Sequence, residues 1–359
     1  MRTTMNRFLQ FLALSLALAG MMFTTAATAE QKTTFRIAWS IYVGWMPWDY
    51  ADKHGIVKKW ADKYGIEIEV VQINDYIESI NQYTAGAFDG CVMTNMDMLT
   101  IPSAGGVDST ALIVGDFSNG NDGVVLKNAS SLKDIKGRRV NLVELSVSHY
   151  LLARGLEGVG LRERDINVVN TSDADIVAAF SSRNTNAVVT WNPQLSEVAA
   201  MPSATKVFDS SHIPGEIIDL LVVNTETLQD NPKLGKALAG AWYETMTIMA
   251  RDDAAGRAAR SAMGEASGTD RAGYESQLKT TKMFYQPADA VNFTQSTDLI
   301  TTMDNVRNFS FKHGLLGEGA QDVNHVGMHF PGGKTLGNPN NIKLRFNVDY
   351  MDMAARGTL

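Results

Sequence analysis

Short apolar runs alternate with stretches of helical periodicity in the first part of the chain after its N-terminal segment. Strands are predicted at Phe35 to Ser40, Ile66 to Ile73 and Phe88 to Thr94. A helix ending near Tyr64 separates the first two strands, and a second helix is predicted over Tyr76 to Ala85. This alternation favours a parallel sheet that is covered by helices.

The same alternation begins again near Gly120. Further strands are predicted at Gly123 to Leu126, Arg139 to Glu144, Ile166 to Asn170, Ala187 to Trp191, Lys206 to Asp209 and Ile217 to Val223, with helices at Ser148 to Gly158 and Asp173 to Arg183. After Thr225, long helical patterns dominate, such as Lys233 to Arg251 and Ala288 to His313. The pattern therefore predicts an α/β protein with one βα architecture built twice, in two Rossmann-like lobes.

The order of the two blocks predicts how the chain divides into lobes. The chain crosses between lobes near Asp116 and returns near Val223, so that lobe one comprises residues 30–117 and 224–359, and lobe two comprises residues 118–223. Two crossings make a two-stranded hinge with a cleft between the lobes. In open α/β sheets, ligands collect at the carboxyl ends of the strands, so the loops there are the place to look for function.

The first residues have the order of charge, apolar core and small residues that is typical of a secretory signal peptide. Arg2 and Arg7 precede an apolar stretch from Phe8 to Phe23, and the segment ends in Ala27-Thr28-Ala29. This predicts a signal peptide at residues 1–29, cleaved before Glu30. No Cys stands at that position, so we expect a periplasmic protein without a lipid anchor.

Composition limits the partners of the protein. The formal net charge is −7, and removing Arg2 and Arg7 gives −7 − 2 = −9. An acidic chain without a basic block argues against nucleic acid as a partner. Cys91 is the one cysteine, in an apolar context, which predicts a buried structural thiol rather than a disulfide. We expect a soluble monomer that needs no cofactor and no metal.

Several of the predicted loops resemble those of one protein family. Gly137 to Val140 followed by Ser146 to Leu152 (SVSHYLL), and later Val189 to Pro193 (VTWNP), resemble motifs of ABC substrate-binding proteins of the nitrate/sulfonate/taurine type. Thr94 to Asp97 falls where that family has a ligand loop. The resemblance covers roughly residues 35 to 250. It implies a type II periplasmic-binding-protein fold, whose lobes close on a small molecule for delivery to a membrane permease and its ATPase.

Finer features resemble one branch of that family. Trp39 to Trp48, Gly115 to Gly123 and the tail from Leu344 to Met351 are similar to binding proteins encoded beside urea carboxylase. The resemblance implies a small nitrogen-rich ligand, guanidine or urea, and a role in nitrogen uptake. It does not decide between the two ligands.

The predicted cleft loops carry acids and aromatic rings, and the Arg138-Arg139 pair lies outside them, at the base of a strand. Carboxylates accept charge-assisted hydrogen bonds from a planar N–H fork, and an indole face attracts a cation. We therefore expect guanidinium first and urea second, since urea also needs a donor such as Ser146 for its carbonyl. The predicted ligand-binding residues are Tyr42, Trp45, Asp97, Asp116, Asp122, Glu144, Ser146, Trp191 and Asp219.

Structural alternatives exist for several of these residues. Asp116 and Asp122 lie in a stretch rich in Ser, Asn and Gly, where the structural alternative is a turn residue, and Asp97 is placed to cap a helix. Glu144 and Asp219 each end an apolar strand, where a carboxylate is harder to explain structurally.

Other functions remain as alternatives. An anion binder of the nitrate, sulfonate or taurine kind is the first, and a periplasmic sensor is another. A thiamine-precursor-type enzyme shares the fold, but its Cys-rich motif is missing here. His325 and His329 stand four residues apart as zinc ligands on a helix do, but Gly327 and Pro331 disfavour that helix. The sequence therefore predicts a binding protein rather than an enzyme.

Overall fold

The computed structural model describes residues 32–359. The predicted signal peptide at residues 1–29 lies outside them. Within residues 32–359, no helix combines the length and the apolar character needed to cross a membrane.

Two mixed β-sheets organise the structure. The larger has nine strands in the order β13-β12-β14-β4-β10-β3-β1-β2, with β11 added beside β4. Its strands are β1 (Thr34–Trp39), β2 (Glu67–Gln72), β3 (Gly90–Thr94), β4 (Ser109–Ser118), β10 (Ile218–Asn224), β11 (Thr281–Met283), β12 (Gly327–His329), β13 (Thr335–Leu336) and β14 (Ile342–Phe346). The smaller has the order β7-β6-β8-β5-β9, formed by β5 (Asp122–Lys127), β6 (Arg139–Leu142), β7 (Asn167–Asn170), β8 (Ala187–Trp191) and β9 (Ala204–Asp209).

Helices connect the strands and cover the sheets. The α-helices are α1 (Met46–Lys53), α2 (Ile56–Tyr64), α3 (Tyr76–Thr84), α4 (Asn95–Met98), α5 (Val147–Gly158), α6 (Ile176–Ser181), α7 (Gln194–Ala199), α8 (Thr225–Asp230), α9 (Pro232–Met249), α10 (Ala254–Ala266), α11 (Arg271–Leu278), α12 (Pro287–Thr294), α13 (Thr297–Lys312) and α14 (Asp349–Ala355). Short 3₁₀ segments lie at Leu132–Ile135, Glu163–Asp165, Asp173–Asp175, Ser210–His212 and Pro331–Gly333, and a π-helical turn at Leu99–Ser103.

Side-chain caps fix where several helices begin. Asp75 accepts the backbone N–H of Glu78 at the start of α3, and Ser296 accepts that of Leu299 at the start of α13. Such caps satisfy N–H groups that have no partner inside the helix. Ser296 also explains why the predicted single helix from Ala288 to His313 is two helices instead.

The predicted βα alternation is confirmed, although the sheets are mixed rather than parallel. β1 is parallel to both β2 and β3, as the pattern predicts. β10, however, runs antiparallel to both β3 and β4 in the larger sheet. We predicted that Ile217 to Val223 belongs to the second lobe, and its pairing corrects that prediction. The strand β4 and the short strands β11 to β14 were not predicted.

Two short segments join the sheets. Residues 119–121 lead from β4 to β5, and residues 210–217 lead from β9 back to β10, earlier than the predicted return near Val223. The hydroxyl groups of Ser118 and Ser210 lie 2.6 Å apart, and the backbone N–H of Gly120 donates to Ser210 Oγ at 2.7 Å. The two crossings are therefore hydrogen-bonded to each other, side by side.

Candidate functional site

A row of polar side chains crosses three neighbouring strands of the larger sheet. Asp219 on β10 lies opposite Thr94 on β3 and opposite Asp116 on β4. Directly opposed residues of antiparallel strands present their side chains on the same face, with Cβ atoms about 4.5–5.5 Å apart. Asp116 is completely buried and Asp219 is 3% exposed. Two carboxyl groups are thus held next to each other inside the protein.

The smaller sheet contributes a third acid and an indole ring. Asp122 at the start of β5 lies opposite Trp191 at the end of β8. Both residues are buried, and the backbone N–H of Asp122 donates to Ser118 Oγ at 3.1 Å. The site is therefore built from both sheets, next to the crossings.

A fourth acid, Asp97, lies in the first turn of α4 and is fully buried. Thr94, not Asp97, caps that helix, so the carboxyl group is free to turn inward. Tyr76 Oη donates to Asp97 at 2.7 Å and Thr94 Oγ1 donates at 2.9 Å. The backbone N–H of Val147, in the first turn of α5, also faces Asp97 and helps to stabilise its ionised form.

Four aromatic rings form a continuous contact chain around these acids. The ring centroids are 5.0 Å apart for Tyr42 and Trp45, 5.5 Å for Trp45 and Tyr76, and 5.6 Å for Tyr76 and Trp191. They line a narrow cavity together with Thr94, Asp122, Val147, Ile217 and Asp219. Its volume is about 10 Å³, room for at most one water molecule, so a ligand enters only if the surrounding side chains move apart.

Burial changes the acidity of all four carboxyl groups. It raises the pKa of Asp97 to about 6, and those of Asp116 and Asp122 to about 7. Burial and the neighbouring Asp116 carboxylate raise the pKa of Asp219 well above its usual range. Ionising these groups together is therefore unfavourable unless a positive charge enters the site.

Asp116 and Asp219 face each other and the N–H of Val147 faces Asp97, but three buried oxygen atoms, Asp97 Oδ1, Asp116 Oδ2 and Asp219 Oδ2, have no hydrogen-bond partner of good geometry. Tyr42 Oη donates to the other oxygen of Asp116 at 3.2 Å. Within residues 32–359, none of the four acids forms an ion pair with Lys, Arg or His. An unpaired buried carboxylate is costly, so this arrangement fits a ligand that brings N–H donors and positive charge.

Two of the predicted site residues have other positions. Glu144 is exposed, because β6 ends at Leu142 and the next residues turn outward; Leu145 has φ +64°. The prediction for Glu144 is therefore corrected. Ser146 is buried, but its hydroxyl caps α5 and donates to the carbonyl oxygen of Val143 at 2.7 Å. That hydroxyl is already used by the protein.

Sequence reasoning missed Tyr76 and Thr94. Tyr76 occupies an apolar position of a helical pattern, which predicts a core residue. Its hydroxyl group, however, donates a hydrogen bond to Asp97. For Thr94 the sequence did offer a signal, because it is the first residue of the predicted ligand loop, Thr94 to Asp97.

Gly44 permits the close approach of the first loop to the acids. A Cβ atom at this position would lie 2.5 Å from Asp116 Oδ2 and 2.6 Å from the Tyr42 ring. We expect Gly44→Ala to displace one of these groups and weaken ligand binding about 10-fold or more, since overpacking costs about 1–3 kcal/mol. Calorimetric titration with guanidinium, the ligand that the sequence predicts first, checks this.

Gly158→Ala is the matched control, because open space surrounds that position at the end of α5. It should keep wild-type affinity. Equal affinity of Gly44→Ala and Gly158→Ala would contradict the role given to Gly44.

Two other candidate groups have structural explanations. Cys91 is fully buried, as predicted, and burial raises the pKa of its thiol to about 12, which leaves it unreactive as a nucleophile. His329 lies in strand β12 and His325 precedes that strand, so the two do not share a helix face.

The sequence is similar to those of known binding proteins. The taurine-binding periplasmic protein of Escherichia coli (strain K12) is 26% identical over 132 residues, which are 36% of this chain and 40% of that protein. A putative binding protein of Brucella abortus (strain 2308) is 23% identical over 209 residues, 58% of this chain and 59% of that protein. The chain thus matches less than two thirds of the length of these curated relatives.

Solved structures show the same fold. The alkanesulfonate-binding protein SsuA from Xanthomonas axonopodis pv. citri, bound to MOPS, has a TM-score of 0.66 at 17% identity and covers 81% of this chain and 96% of its own. The desulfurization enzyme DSZB has a TM-score of 0.55 at 15% identity, covering 78% and 93%. The predicted two-lobed α/β fold is therefore confirmed as that of periplasmic binding proteins.

A family model described as NMT1/THI5 like matches residues 50–254, which is more than half of the chain. The chain belongs to the NMT1/THI5-like family.

Proposed function

We propose that this protein is the periplasmic solute-binding component of an ABC importer, and that it captures a small cation between two lobes. One observation carries the proposal: Asp219 of the larger sheet and Asp122 of the smaller one line an aromatic cavity, with Asp116 and Asp97 buried nearby, and within residues 32–359 none of these acids pairs with a positive side chain. The predicted signal peptide and the periplasmic relatives support export.

Guanidinium is the ligand that this chemistry fits best. It is planar and has only N–H donors, as the guanidinium group of Arg does, and it keeps its charge at any pH at which the protein is folded. Unpartnered oxygen atoms of Asp97, Asp116 and Asp219 supply acceptors. The rings of Trp45 and Trp191 line the same cavity and supply faces for a cation–π contact, worth about 0.5–2 kcal/mol.

Urea is the second candidate, and one observation favours it. The indole N–H of Trp45 is buried and has no acceptor. A urea carbonyl would accept from this group, whereas guanidinium offers no acceptor. Urea is neutral, however, and leaves the carboxyl groups without a counter-charge, so we rank it below guanidinium.

Nitrate, sulfonate and taurine fit the site poorly. The N-terminus of a helix attracts anions, because its N–H groups lack partners inside the helix. Here the first turn of α5 faces Asp97, so a carboxylate of the protein itself occupies that position. An incoming sulfonate would meet four acids and no Lys or Arg that pairs with them.

An enzymatic role has weaker support. DSZB shares the fold, but fold alone does not carry chemistry. The thiol of Cys91 is buried and protonated, so it is not available as a nucleophile. A ligand that contacts both sheets fits a protein that binds and releases its ligand unchanged.

Closure of two lobes is the mechanism we propose. Lobe one would comprise residues 33–118 and 218–359, around the larger sheet, and lobe two residues 122–209, around the smaller one. The paired crossings near Ser118 and Ser210 would act as the hinge. A ligand that touches Asp219 on one side and Asp122 or Trp191 on the other stabilises the closed arrangement, which a permease and its ATPase then recognise.

Isothermal calorimetry on the purified protein tests this function with guanidinium, methylguanidinium, urea, taurine and nitrate, each against a potassium chloride blank. We expect saturable one-to-one binding of guanidinium and no binding heat from taurine or nitrate. Tight binding of taurine or nitrate without heat from guanidinium would overturn the cation assignment. Chemical conversion of any of these ligands would instead support an enzyme.

A further inference from the structure

A second cluster of polar groups lies outside the cleft, where α5 meets the end of α13. His149 belongs to α5, Glu163 begins a 3₁₀ turn, and His313 follows α13 directly. Glu163 Oε1 lies 3.2 Å from Nε2 of His149 and 3.2 Å from Nε2 of His313. The three atoms lie within 4.8 Å of one another. Three metal-ligating atoms thus converge on one point.

These atoms are buried, yet each lacks a hydrogen-bond partner. His149 is only 5% exposed. Both imidazole Nε2 atoms lie at ion-pair distance from Glu163 Oε1. Buried polar atoms are rarely left unsatisfied, so their convergence calls for a further partner. In residues 32–359, no other group of His, Cys, Asp and Glu side chains converges in this way.

We propose that His149, Glu163 and His313 bind a divalent transition-metal ion, with Zn²⁺ as the ion that best fits two imidazoles and one carboxylate. Zinc takes such ligands at about 2.0–2.2 Å in a tetrahedron, which places neighbouring ligand atoms about 3.4 Å apart. The two 3.2 Å separations are close to that value. Three protein ligands leave the fourth position for water. Glu163 also lines an open groove with Phe309 and Lys312, which gives an ion a path to the site.

Metal binding has a structural consequence for the turn before α5. The backbone N–H of Leu145 contacts Nδ1 of His149 at 3.2 Å, which places the proton of the neutral ring on Nε2. An ion on Nε2 moves that proton to Nδ1, so the Leu145 contact must open. Ser146 and Val147 follow directly, and Val147 lines the cavity of the candidate site. The ion would therefore shift this edge of the ligand cavity.

The site also joins the two sheet regions. His149 and Glu163 belong to the segment that forms the smaller sheet, whereas α13 and His313 belong to the segment that forms the larger one. An ion held by all three residues would hold these regions together, separately from any ligand in the cavity.

Titration of the chelator-treated full protein with Co²⁺ tests the site, because tetrahedral Co²⁺ gives intense visible absorption bands and Zn²⁺ displaces it. We expect one equivalent of Co²⁺ with a tetrahedral spectrum that Zn²⁺ abolishes. Glu163→Gln preserves the size of the side chain, and His313→Ala removes one ring; each should weaken Zn²⁺ binding at least about 10-fold. His54→Ala, at an exposed histidine, is the control and should leave it unchanged.

Thermal melting separates loss of ligands from loss of fold. Metal-free Glu163→Gln should melt near the metal-free wild type, while only the wild type gains stability with Zn²⁺. Absence of a tetrahedral Co²⁺ spectrum would overturn the proposal. So would equal Zn²⁺ binding by wild type, Glu163→Gln and His313→Ala, which would show adventitious surface binding only. Either result is independent of whether guanidinium binds in the cavity.

Discussion

Asp219→Asn is expected to weaken guanidinium binding by at least about 100-fold, because it removes one carboxylate of the buried pair with Asp116. That carboxylate would pair with the bound guanidinium, and losing one partner of such a buried, hydrogen-bonded pair of opposite charges costs about 2–5 kcal/mol. The folded state should keep its stability or gain some, since Asn removes a carboxyl group from a site crowded with acids. Calorimetry gives the affinity, and thermal melting of the ligand-free protein gives the stability.

Glu144→Gln is the matched control for this variant. Glu144 is an acid from the same predicted set, but the structure exposes it. Its replacement should change affinity by less than about 2-fold, as is usual for exposed charges. If Asp219→Asn binds guanidinium as the wild type does, Asp219 has no part in binding. A large effect of Glu144→Gln would show that the ligand lies elsewhere.

Guanidinium affinity is expected to fall about 30-fold between pH 8 and pH 5.5 for each carboxyl group with a pKa near 7 that must ionise on binding. Asp116 and Asp122 have pKa values of about 7, because they are buried. At pH 5.5 they hold protons that the cation must displace, and at pH 8 they do not. Titrations across this range in buffers of different ionisation enthalpy measure both the affinity and the number of protons released.

Urea supplies the control for the pH dependence. It carries no charge, so its binding should release fewer protons and vary less with pH. A pH-independent guanidinium affinity would show that the acids are already ionised in the ligand-free protein.

The ligand-free protein gives an independent check of the same pKa values. Because the pKa values of Asp97, Asp116 and Asp122 are raised in the folded state, these groups favour folding at acid pH, and that stability is lost as the pH rises through about 6–7. The contribution of this cluster should therefore lower the melting temperature from pH 5.5 to pH 8. Asp116→Asn should reduce that difference.

Strand ends explain how much of the site the sequence predicts. Asp97, Asp116, Asp219 and Trp191 each lie at or next to the end of an apolar run, where parallel and crossing strands bring side chains to one edge. The structure brings all four together. Glu144 follows the same rule in sequence, but it lies two residues past the end of β6, and the turn directs it to solvent.

The parts that the sequence does not predict depend on long-range pairing. β10 joins the larger sheet because its neighbours are β3 and β4, and no local pattern in Ile218 to Asn224 reveals that choice. The strands β11 to β14 have two to five residues each, too few for a recognisable period. The role of Tyr76 is likewise not predictable from local sequence, because its hydroxyl group bonds to Asp97 in another helix.

The buried position of Cys91 makes this chain suited to site-selective labelling. It is the one cysteine in the sequence, and its fully buried thiol has a pKa of about 12, so it resists maleimide reagents in the folded protein. Two cysteines introduced on exposed positions of the opposite sheet regions would therefore accept a donor and an acceptor dye without removal of a native residue. Energy transfer between the dyes would then follow the approach of the lobes in single molecules.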